Sequence, residues 1–336
     1  MMAKIIFFDL WAEMVPYIKK KLKGHHLDFL NAADRKTIKQ AANADIACTT
    51  IYSHIGSSEI AKMPRLKLIA TLSTGFDHID IAACAKQKIL VTNVPSYGTQ
   101  TVAEHTIALM LALAKKIVIS AERTRMGNFS LEGLRTFDIC NKTLGIIGFG
   151  KIGSAVAKIA KAFGMEVLVY DRKGAIKLAQ SLAYKCVSFD QLLKKSDIIS
   201  LHAPLTEKTK HMISKKALAK MKKGAMIINT ARGGLIDTQA LVQALISGHI
   251  AGAGLDVLES EIAIKEEVQL LSSHITPAEL RTLIANQILC NRPDVIITPH
   301  NAFNSQEALQ RIIDTTVANI KSYLRGHPVN IVKANK

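Results

Sequence analysis

The chain has 336 residues, enough to bury more than one hydrophobic core, and its formal net charge is +17. Its proportions of apolar and charged residues are those of a globular protein, which excludes a disordered or fibrous chain. The positive charge comes largely from lysine clusters without interleaved aromatic residues. We therefore predict a solvated lysine face that attracts small anions, and we expect no nucleic-acid partner.

Two apolar stretches were considered as membrane segments, the amino-terminal run and residues 106–120, and neither is predicted to enter a membrane. The amino-terminal run is broken by Asp9, and the apolar stretch 106–120 is interrupted by Lys115 and Lys116. The five cysteines are odd in number and lack C-x-x-C spacing, which argues against a disulfide framework or a metal site. We therefore expect a cytoplasmic protein that holds no metal.

Short apolar runs alternate with amphipathic stretches in the first hundred residues. Four of these runs predict buried strands of a parallel sheet, at residues 5–8, 46–49, 68–72 and 89–92. A long apolar helical pattern follows to about Ser120. Thr101 and Glu104 have the spacing of a capping box, which predicts a helix start near residue 101. The polar segment 121–140 is predicted to be a connector.

A second series of strands and helices begins at Thr143. Strands are predicted at residues 144–148, 166–170, 198–201, 226–230, 252–256 and 295–298, with a helix at 153–163 and a final helix at 305–325. This alternation predicts the α/β class, with two doubly wound parallel sheets. Ligands of such sheets bind at the carboxyl ends of the strands.

The sequence Gly148-Phe-Gly-Lys-Ile-Gly153 closes a predicted strand and opens a predicted helix, which is the context of a dinucleotide-binding turn. The first glycine permits the tight turn, Gly150 lets the backbone approach a pyrophosphate, and Gly153 allows close packing of helix on strand. Amides at the helix start, near Lys151 and Ile152, then face the phosphates.

Asp171 follows the next predicted strand, 23 residues after Gly148. A carboxylate at this place accepts hydrogen bonds from the ribose hydroxyls of NAD and repels the extra phosphate of NADP. We therefore predict NAD as the cofactor. The adjacent Arg172 and Lys173 leave tolerance of NADP open.

The ends of three further predicted strands carry the groups that reduction of a 2-oxo acid requires. The reaction needs an arginine fork for the carboxylate, a general acid for the carbonyl oxygen, and a carboxylate that favours the protonated acid. Arg232, His300 and Glu261 follow predicted strands and are candidates for these roles. Each of them has a simpler interpretation as an ion-pair or loop residue, since the chain holds eleven histidines.

Seven ordered motifs cover most of the chain. They are STGFDHID (73–80), NVPSYGTQTVAEHT (93–106), NKTLGIIGFGKIG (141–153), LHAPLTEKT (201–209), INTARGGLID (228–237), AGLDVLESE (253–261) and ITPHNAF (297–303). With these motifs the chain resembles the D-isomer-specific 2-hydroxyacid dehydrogenases. The resemblance implies NAD-dependent interconversion of small 2-oxo acids and D-2-hydroxy acids.

The resemblance also implies residue roles. Arg232 would bind the substrate carboxylate and carbonyl, and Glu261 would pair with the general acid His300; Glu259 competes, but the family's spacing from Asp256 favours Glu261. The residues implied to border the cofactor are Ala203, Pro204, Thr209, Thr230, Ala231 and Asp256. Those implied to bind the substrate are Ser73, Thr74 and Gly75, through backbone amides, and the aromatic residues Tyr97, Phe303 and Tyr52.

The resemblance further implies the domain organisation. Residues 1–97 and 303–336 would form a discontinuous, flavodoxin-like substrate domain, and residues 98–302 an NAD-binding Rossmann domain. The helix from Thr101 is similar to the family's dimer contact, so we expect a homodimer. Two departures stand out: Leu72 occupies a position that is often arginine, and the segment 262–294 is longer than in many members and includes a predicted extra helix at 277–286.

Tyr97 and the ITPHNAF motif favour reduction of pyruvate, as in D-lactate dehydrogenases. A glyoxylate/hydroxypyruvate reductase or a D-3-phosphoglycerate dehydrogenase remains the alternative among enzymes. From another class, an NAD-sensing corepressor-like binding protein is also open, although such a protein need not retain Arg232, Glu261 and His300.

Overall fold

The computed structural model describes residues 2–260 and 276–332. The chain divides into two compact units, which we call unit 1 (Met1–Gly98 with Asn304–Lys336) and unit 2 (Thr99–Phe303). No helix of the described residues is long and apolar enough to cross a membrane.

Unit 1 is built on a sheet of five strands. They are β1 (Lys4–Phe8), β2 (His26–Leu30), β3 (Ile46–Thr49), β4 (Leu68–Thr71) and β5 (Leu90–Thr92). Its helices, numbered along the chain, are α1 (Val15–Lys21), α2 (Arg35–Gln40), α3 (Ser57–Ile60), α4 (Ile81–Lys86) and α13 (Gln306–Leu324). All neighbouring strands are parallel, in the order β2-β1-β3-β4-β5, which is the flavodoxin-like order. Every residue of β3 and β4 is buried, which explains their continuous apolar sequence.

Unit 2 is built on a sheet of seven strands. They are β6 (Thr143–Ile147), β7 (Glu166–Tyr170), β8 (Lys185–Cys186), β9 (Ile198–Leu201), β10 (Ala225–Asn229), β11 (Ile250–Leu255) and β12 (Val295–Ile297). Its helices are α5 (Thr99–Ala114), α6 (Ile117–Arg125), α7 (Lys151–Ala162), α8 (Lys173–Ser181), α9 (Phe189–Lys195), α10 (Lys215–Lys220), α11 (Thr238–Ile246) and α12 (Pro277–Cys290). The strands are all parallel, and their order is β12-β11-β10-β9-β6-β7-β8. The order reverses between β6 and β9, and a ligand crevice is expected at the carboxyl ends of these two strands.

The predicted fold class is confirmed, since both sheets are parallel and covered by helices. Two strands, β2 and β8, were not predicted from the sequence, for a physical reason. β2 lies at a sheet edge and is only partly buried, and β8 has two residues and also lies at an edge. Neither strand therefore carries a continuous apolar run.

The helix start predicted near residue 101 lies two residues from the observed start, but Thr101 is inside the helix and is not its N-cap. α5 begins at Thr99, and the Glu104 Oε1 accepts a hydrogen bond from Gln100 Nε2 at 2.7 Å instead of closing a capping box. The apolar pattern also spans two helices, because Lys116 takes the left-handed conformation at φ +51°. The second helix, α6, extends to Arg125, so the predicted connector begins five residues too early.

The extra helix predicted at 277–286 exists and is longer. α12 runs from Pro277 to Cys290, and Thr276 and Glu279 form a capping box at its start. The first part of the longer segment, residues 261–275, lies outside the described residues.

Candidate active site

The glycine-rich turn between β6 and α7 is shaped by close backbone contacts. Gly148 has a φ of +97°, and a Cβ there would lie 2.6 Å from the carbonyl carbon of His202. A Cβ on Gly153 would lie 2.1 Å from the carbonyl oxygen of Gly148. Both positions therefore require glycine for the turn itself. Gly150 differs, since a Cβ there would meet nothing within 4 Å.

The start of α7 presents backbone donors beside this open space. Gly150 is the N-cap in extended conformation, and no described side chain caps it. The first N–H groups of a helix have no partner within the helix, and its dipole favours negative charge at this end. The amides near Lys151 and Ile152 are thus placed to bind phosphate oxygens.

Asp171 directly follows β7 and is bound to the glycine-rich turn. Its two carboxylate oxygens accept hydrogen bonds at 2.5 Å from the backbone N–H groups of Phe149 and Arg172. A carboxylate oxygen has a second lone pair, so Asp171 can still accept a bond from a ribose hydroxyl. The open space at Gly150, the helix amides and Asp171 together fit a dinucleotide with an unphosphorylated ribose.

The loop after β9 packs against the same turn. The backbone N of Ala203 would lie 2.7 Å from a Cβ on Gly148. Thr209 folds the loop back, since its hydroxyl donates to the carbonyl oxygen of Pro204 at 2.6 Å. His202, also at this edge of the sheet, is a poor general acid: its Nε2 is 2.9 Å from Ser200 Oγ, and desolvation lowers its pKa to about 3.

The loop after β10 carries Arg232. The buried Asn229 shapes it, because its side-chain amide donates to the carbonyl oxygen of Arg232 at 2.9 Å and accepts from the N–H of Ala231 at 3.0 Å. One guanidinium nitrogen of Arg232 donates to the carbonyl oxygen of Ala231 at 2.8 Å. Thr230 Oγ1 lies 2.8 Å from the hydroxyl of Thr106 on α5. No local sequence pattern singled out Asn229 or Thr106.

The loop after β12 carries His300, which has a φ of +55°. Asp256, at the end of β11, is 1% exposed and accepts hydrogen bonds from Thr298 Oγ1 at 2.5 Å and from the backbone N–H of Asn301 and Ala302 at 2.9 and 3.0 Å. The Phe303 ring lies edge-on to the His300 ring at a centroid distance of 6.5 Å. The five loops after β6, β9, β10, β11 and β12 all leave the same edge of the parallel sheet.

Of the two glutamates after β11, Glu259 and Glu261, only Glu259 belongs to the described residues. Glu261 lies outside the described residues. Glu259 is bound elsewhere, since its Oε1 is 2.7 Å from His211 Nε2 and its Oε2 accepts from the Thr238 hydroxyl at 2.9 Å. These bonds hold the two carboxylate oxygens of Glu259 against His211 and Thr238.

The predicted carboxylate loop of unit 1 follows β4. Ser73 Oγ donates to the carbonyl oxygen of Gly75 at 2.5 Å and lies 2.6 Å from Thr71 Oγ1, which in turn lies 3.1 Å from His78 Nε2. Thr74 Oγ1 donates to the carbonyl oxygen of Val94 at 2.7 Å. The loop is thus held by side-chain hydrogen bonds, which leaves backbone amides as the natural ligands for a carboxylate.

Three further positions of unit 1, Leu72, Tyr52 and Tyr97, were also singled out from the sequence. Leu72 is 3% exposed, so its side chain belongs to the core and supplies no charge to a ligand. The backbone N–H of Tyr52 donates to Thr50 Oγ1 at 3.3 Å, and the carbonyl oxygen of Tyr97 accepts from Arg311 Nε on α13 at 2.7 Å. No group of three metal-ligating side chains occurs within the described parts of either unit.

Comparison with known proteins identifies the family. The model of the D-isomer specific 2-hydroxyacid dehydrogenase NAD binding domain matches residues 107–302. A glycerate dehydrogenase of Methylorubrum extorquens is 40% identical over 286 residues, which cover 82% of this chain and 81% of that protein. A glyoxylate reductase of Thermococcus litoralis is 35% identical over 303 residues, covering 88% of this chain and 85% of that protein. The solved structure of a D-lactate dehydrogenase from Aquifex aeolicus, complexed with NAD and lactic acid, is 37% identical, with a TM-score of 0.85 and coverage of 99% of this chain and 100% of that one.

The chain therefore belongs to the D-isomer-specific 2-hydroxyacid dehydrogenase family, and the resemblance predicted from its motifs is confirmed. Its cofactor is NAD, as the sequence analysis predicted. The relatives differ in their substrates, since they are named for glycerate, glyoxylate and D-lactate.

Proposed function

We propose that this oxidoreductase reduces a small 2-oxo acid, with pyruvate as the leading substrate, to the D-2-hydroxy acid. The observation that carries the proposal is that the loops of Arg232 and His300 leave the same sheet edge as the glycine-rich turn and Asp171. The similarity to a D-lactate dehydrogenase complexed with lactic acid supports pyruvate.

The proposed roles follow from the charge of each side chain and from its ability to donate a proton. Bound NADH supplies the hydride that reaches the carbonyl carbon. Arg232 holds the substrate carboxylate, because a guanidinium offers two parallel donors to its two oxygens. His300 donates a proton to the carbonyl oxygen, and Glu261 favours the protonated form of His300.

The substrate pocket is proposed from the remaining candidates. Backbone amides of Ser73, Thr74 and Gly75 would bind the substrate carboxylate, and Tyr52, Tyr97 and Phe303 would line its side-chain pocket. The edge-on packing of Phe303 on His300 places an apolar ring beside the proposed acid. An apolar wall favours a short aliphatic side chain on the substrate over a phosphorylated one.

Unit 1 is proposed to be the substrate domain and unit 2 the NAD-binding domain. The remaining cofactor contacts are proposed for Ala203, Pro204, Thr209, Thr230, Ala231 and Asp256, which border the loops after β9, β10 and β11. We also propose a cytoplasmic location, because all five cysteines are free, as in proteins of reducing compartments.

The test of this function is a panel of kcat/KM values with pyruvate, glyoxylate, hydroxypyruvate, 3-phosphohydroxypyruvate and branched 2-oxo acids, each measured with NADH and with NADPH. We expect turnover with NADH and the highest kcat/KM for pyruvate. Similarity to a glycerate dehydrogenase and a glyoxylate reductase favours hydroxypyruvate or glyoxylate as the second choice. Two substrates that differ by one methylene differ in binding free energy by only about 1–3 kcal/mol. The preferred 2-oxo acid therefore has to be measured with the panel. Absence of turnover with every acid contradicts the proposal.

We further propose a homodimer that buries the apolar surface of α6 and the loop after it. Phe129 and Leu131 are 77% and 84% exposed, and Met126 on the same stretch is 76% exposed. Exposed apolar side chains in one short segment typically mark an interface.

Replacement of Phe129 and Leu131 together by aspartate is expected to give a monomer in sedimentation equilibrium, because it removes two apolar contacts and would bury two unpaired carboxylates in the interface. The matched control is Leu178→Asp, at a half-exposed leucine of α8. A dimer that survives the double substitution, or a wild-type monomer, would overturn this assignment.

A further inference from the structure

The conformation of His300 is unusual for its residue type. Its φ of +55° lies in the left-handed region, which costs a residue with a side chain about 1 kcal/mol or more. Such a conformation persists only where its surroundings enforce it. The surroundings of this loop therefore decide where the His300 ring points.

The carboxylate of Asp256 holds the loop on both sides of His300. Its Oδ1 binds the Thr298 hydroxyl and the backbone N–H of Asn301, and its Oδ2 binds the N–H of Ala302. The N–H of His300 itself donates to the carbonyl oxygen of Thr298 at 2.9 Å. These four hydrogen bonds close the turn that contains His300.

His105 on α5 extends this network. Its Nε2 lies 3.1 Å from Thr298 Oγ1 and 3.5 Å from Asp256 Oδ1, and its side chain is 22% exposed. The Thr298 hydroxyl has a single hydrogen, which it donates to Asp256. In the contact with His105 it is therefore the acceptor, so Nε2 of His105 carries a proton and donates.

The next residue of α5 contacts the second proposed catalytic loop. Thr106 Oγ1 donates its one hydrogen to the carbonyl oxygen of Val102 at 2.7 Å. Its contact with Thr230 Oγ1 at 2.8 Å therefore has Thr230 as the donor. Thr230 precedes Arg232 by two residues, so adjacent residues of one helix bind the loops of both His300 and Arg232.

We propose that His105 is a positioning residue that holds the loop of His300 in its left-handed conformation, by donating to Thr298 and thereby orienting Asp256. This role rests on the proposed function of His300 as the general acid. His105 itself contacts no reacting atom in this assignment. Its main effect is on the placement of His300. The glycine-rich turn and Asp171 are left intact, so binding of NADH changes far less than kcat even though Asp256 borders the proposed cofactor site.

The test compares His105→Ala with His105→Gln, because the glutamine amide restores an N–H donor at a similar reach. The matched control is His249→Gln, at another partly buried histidine of unit 2, whose Nε2 lies 3.0 Å from the carbonyl oxygen of Leu218. Three quantities are measured: kcat, the dissociation constant of NADH from its fluorescence, and amide hydrogen exchange in peptides spanning 298–303.

His105→Ala is expected to lower kcat by roughly 10- to 100-fold, as misplacement of a catalytic group does. Its NADH dissociation constant should change far less than kcat, and exchange in 298–303 should rise. His105→Gln should recover most of the lost kcat and the slow exchange, and His249→Gln should change neither.

Unchanged loop exchange in His105→Ala overturns the inference, and this readout requires no turnover. A fall in kcat that His105→Gln does not recover also overturns it, because packing rather than the donor would then be responsible. Full activity of a His300→Ala variant instead defeats the proposed role of His300, and the exchange data would still decide whether His105 holds the loop.

Discussion

Replacement of His300 by alanine is expected to lower kcat for 2-oxo acid reduction by about 10²–10⁴-fold, the usual loss when a general acid is removed. The carbonyl oxygen gains negative charge as the hydride reaches the carbon, and without His300 only water can supply the proton. The substitution leaves the glycine-rich turn and Asp171 intact, so NADH binding should persist. Steady-state kinetics give kcat, and an NADH titration gives the affinity for the cofactor.

The control for this experiment is His327→Ala, at an exposed histidine of unit 1. It should leave kcat unchanged. A His300→Ala variant that turns over at the wild-type rate would remove His300 from the reaction. A variant that loses NADH binding together with kcat would assign His300 to the cofactor site instead of to proton transfer.

Replacement of Gly153 by valine is expected to disrupt the cofactor turn. The added Cβ would lie 2.1 Å from the carbonyl oxygen of Gly148, and backbone cannot yield as a flexible side chain does. Overpacking of this kind costs about 1–3 kcal/mol and sometimes more, and 1 kcal/mol lowers Tm by roughly 2–4 °C in a domain of this size. We expect a lower Tm and no measurable NADH binding.

Gly150→Ala is the matched substitution in the same turn. A Cβ at Gly150 meets nothing within 4 Å, so Tm should remain that of the wild type. NADH affinity should nevertheless fall, because the pyrophosphate needs close approach to the backbone at this glycine. Unchanged NADH affinity in Gly150→Ala would contradict the assignment of the phosphate site, and a Gly153→Val protein with wild-type Tm would contradict the steric argument.

The sequence predicted the strands that are buried, because a buried strand consists of a continuous run of apolar residues. The strands 46–49, 166–170 and 198–201 each have a neighbouring strand on both sides, and their predicted bounds are those of the structure. The edge strands β2 and β8 bury less and were missed. The break between α5 and α6 was missed for another reason, since the apolar pattern continues across it while the backbone turns at Lys116.

In the candidate site, too, residues of a local motif could be predicted, whereas residues joined by long-range contacts could not. Gly148, Gly153 and Asp171 could be proposed from the sequence because they belong to one local strand–turn–helix–strand motif. Thr298 and His105 were missed because their contact joins residues 193 positions apart, and no local pattern announces such a pair. The partners of Glu259 could not be predicted either. Its carboxylate contacts His211 and Thr238, which lie 48 and 21 positions away in the sequence.

The proposed reaction is the reduction of a small 2-oxo acid to its D-2-hydroxy acid with NADH. The most direct measurement incubates the purified protein with pyruvate and NADH and resolves the product by chiral chromatography. We expect one D-lactate to form for each NADH oxidised. Formation of L-lactate, or no oxidation of NADH with pyruvate or any other 2-oxo acid of the panel, would contradict it.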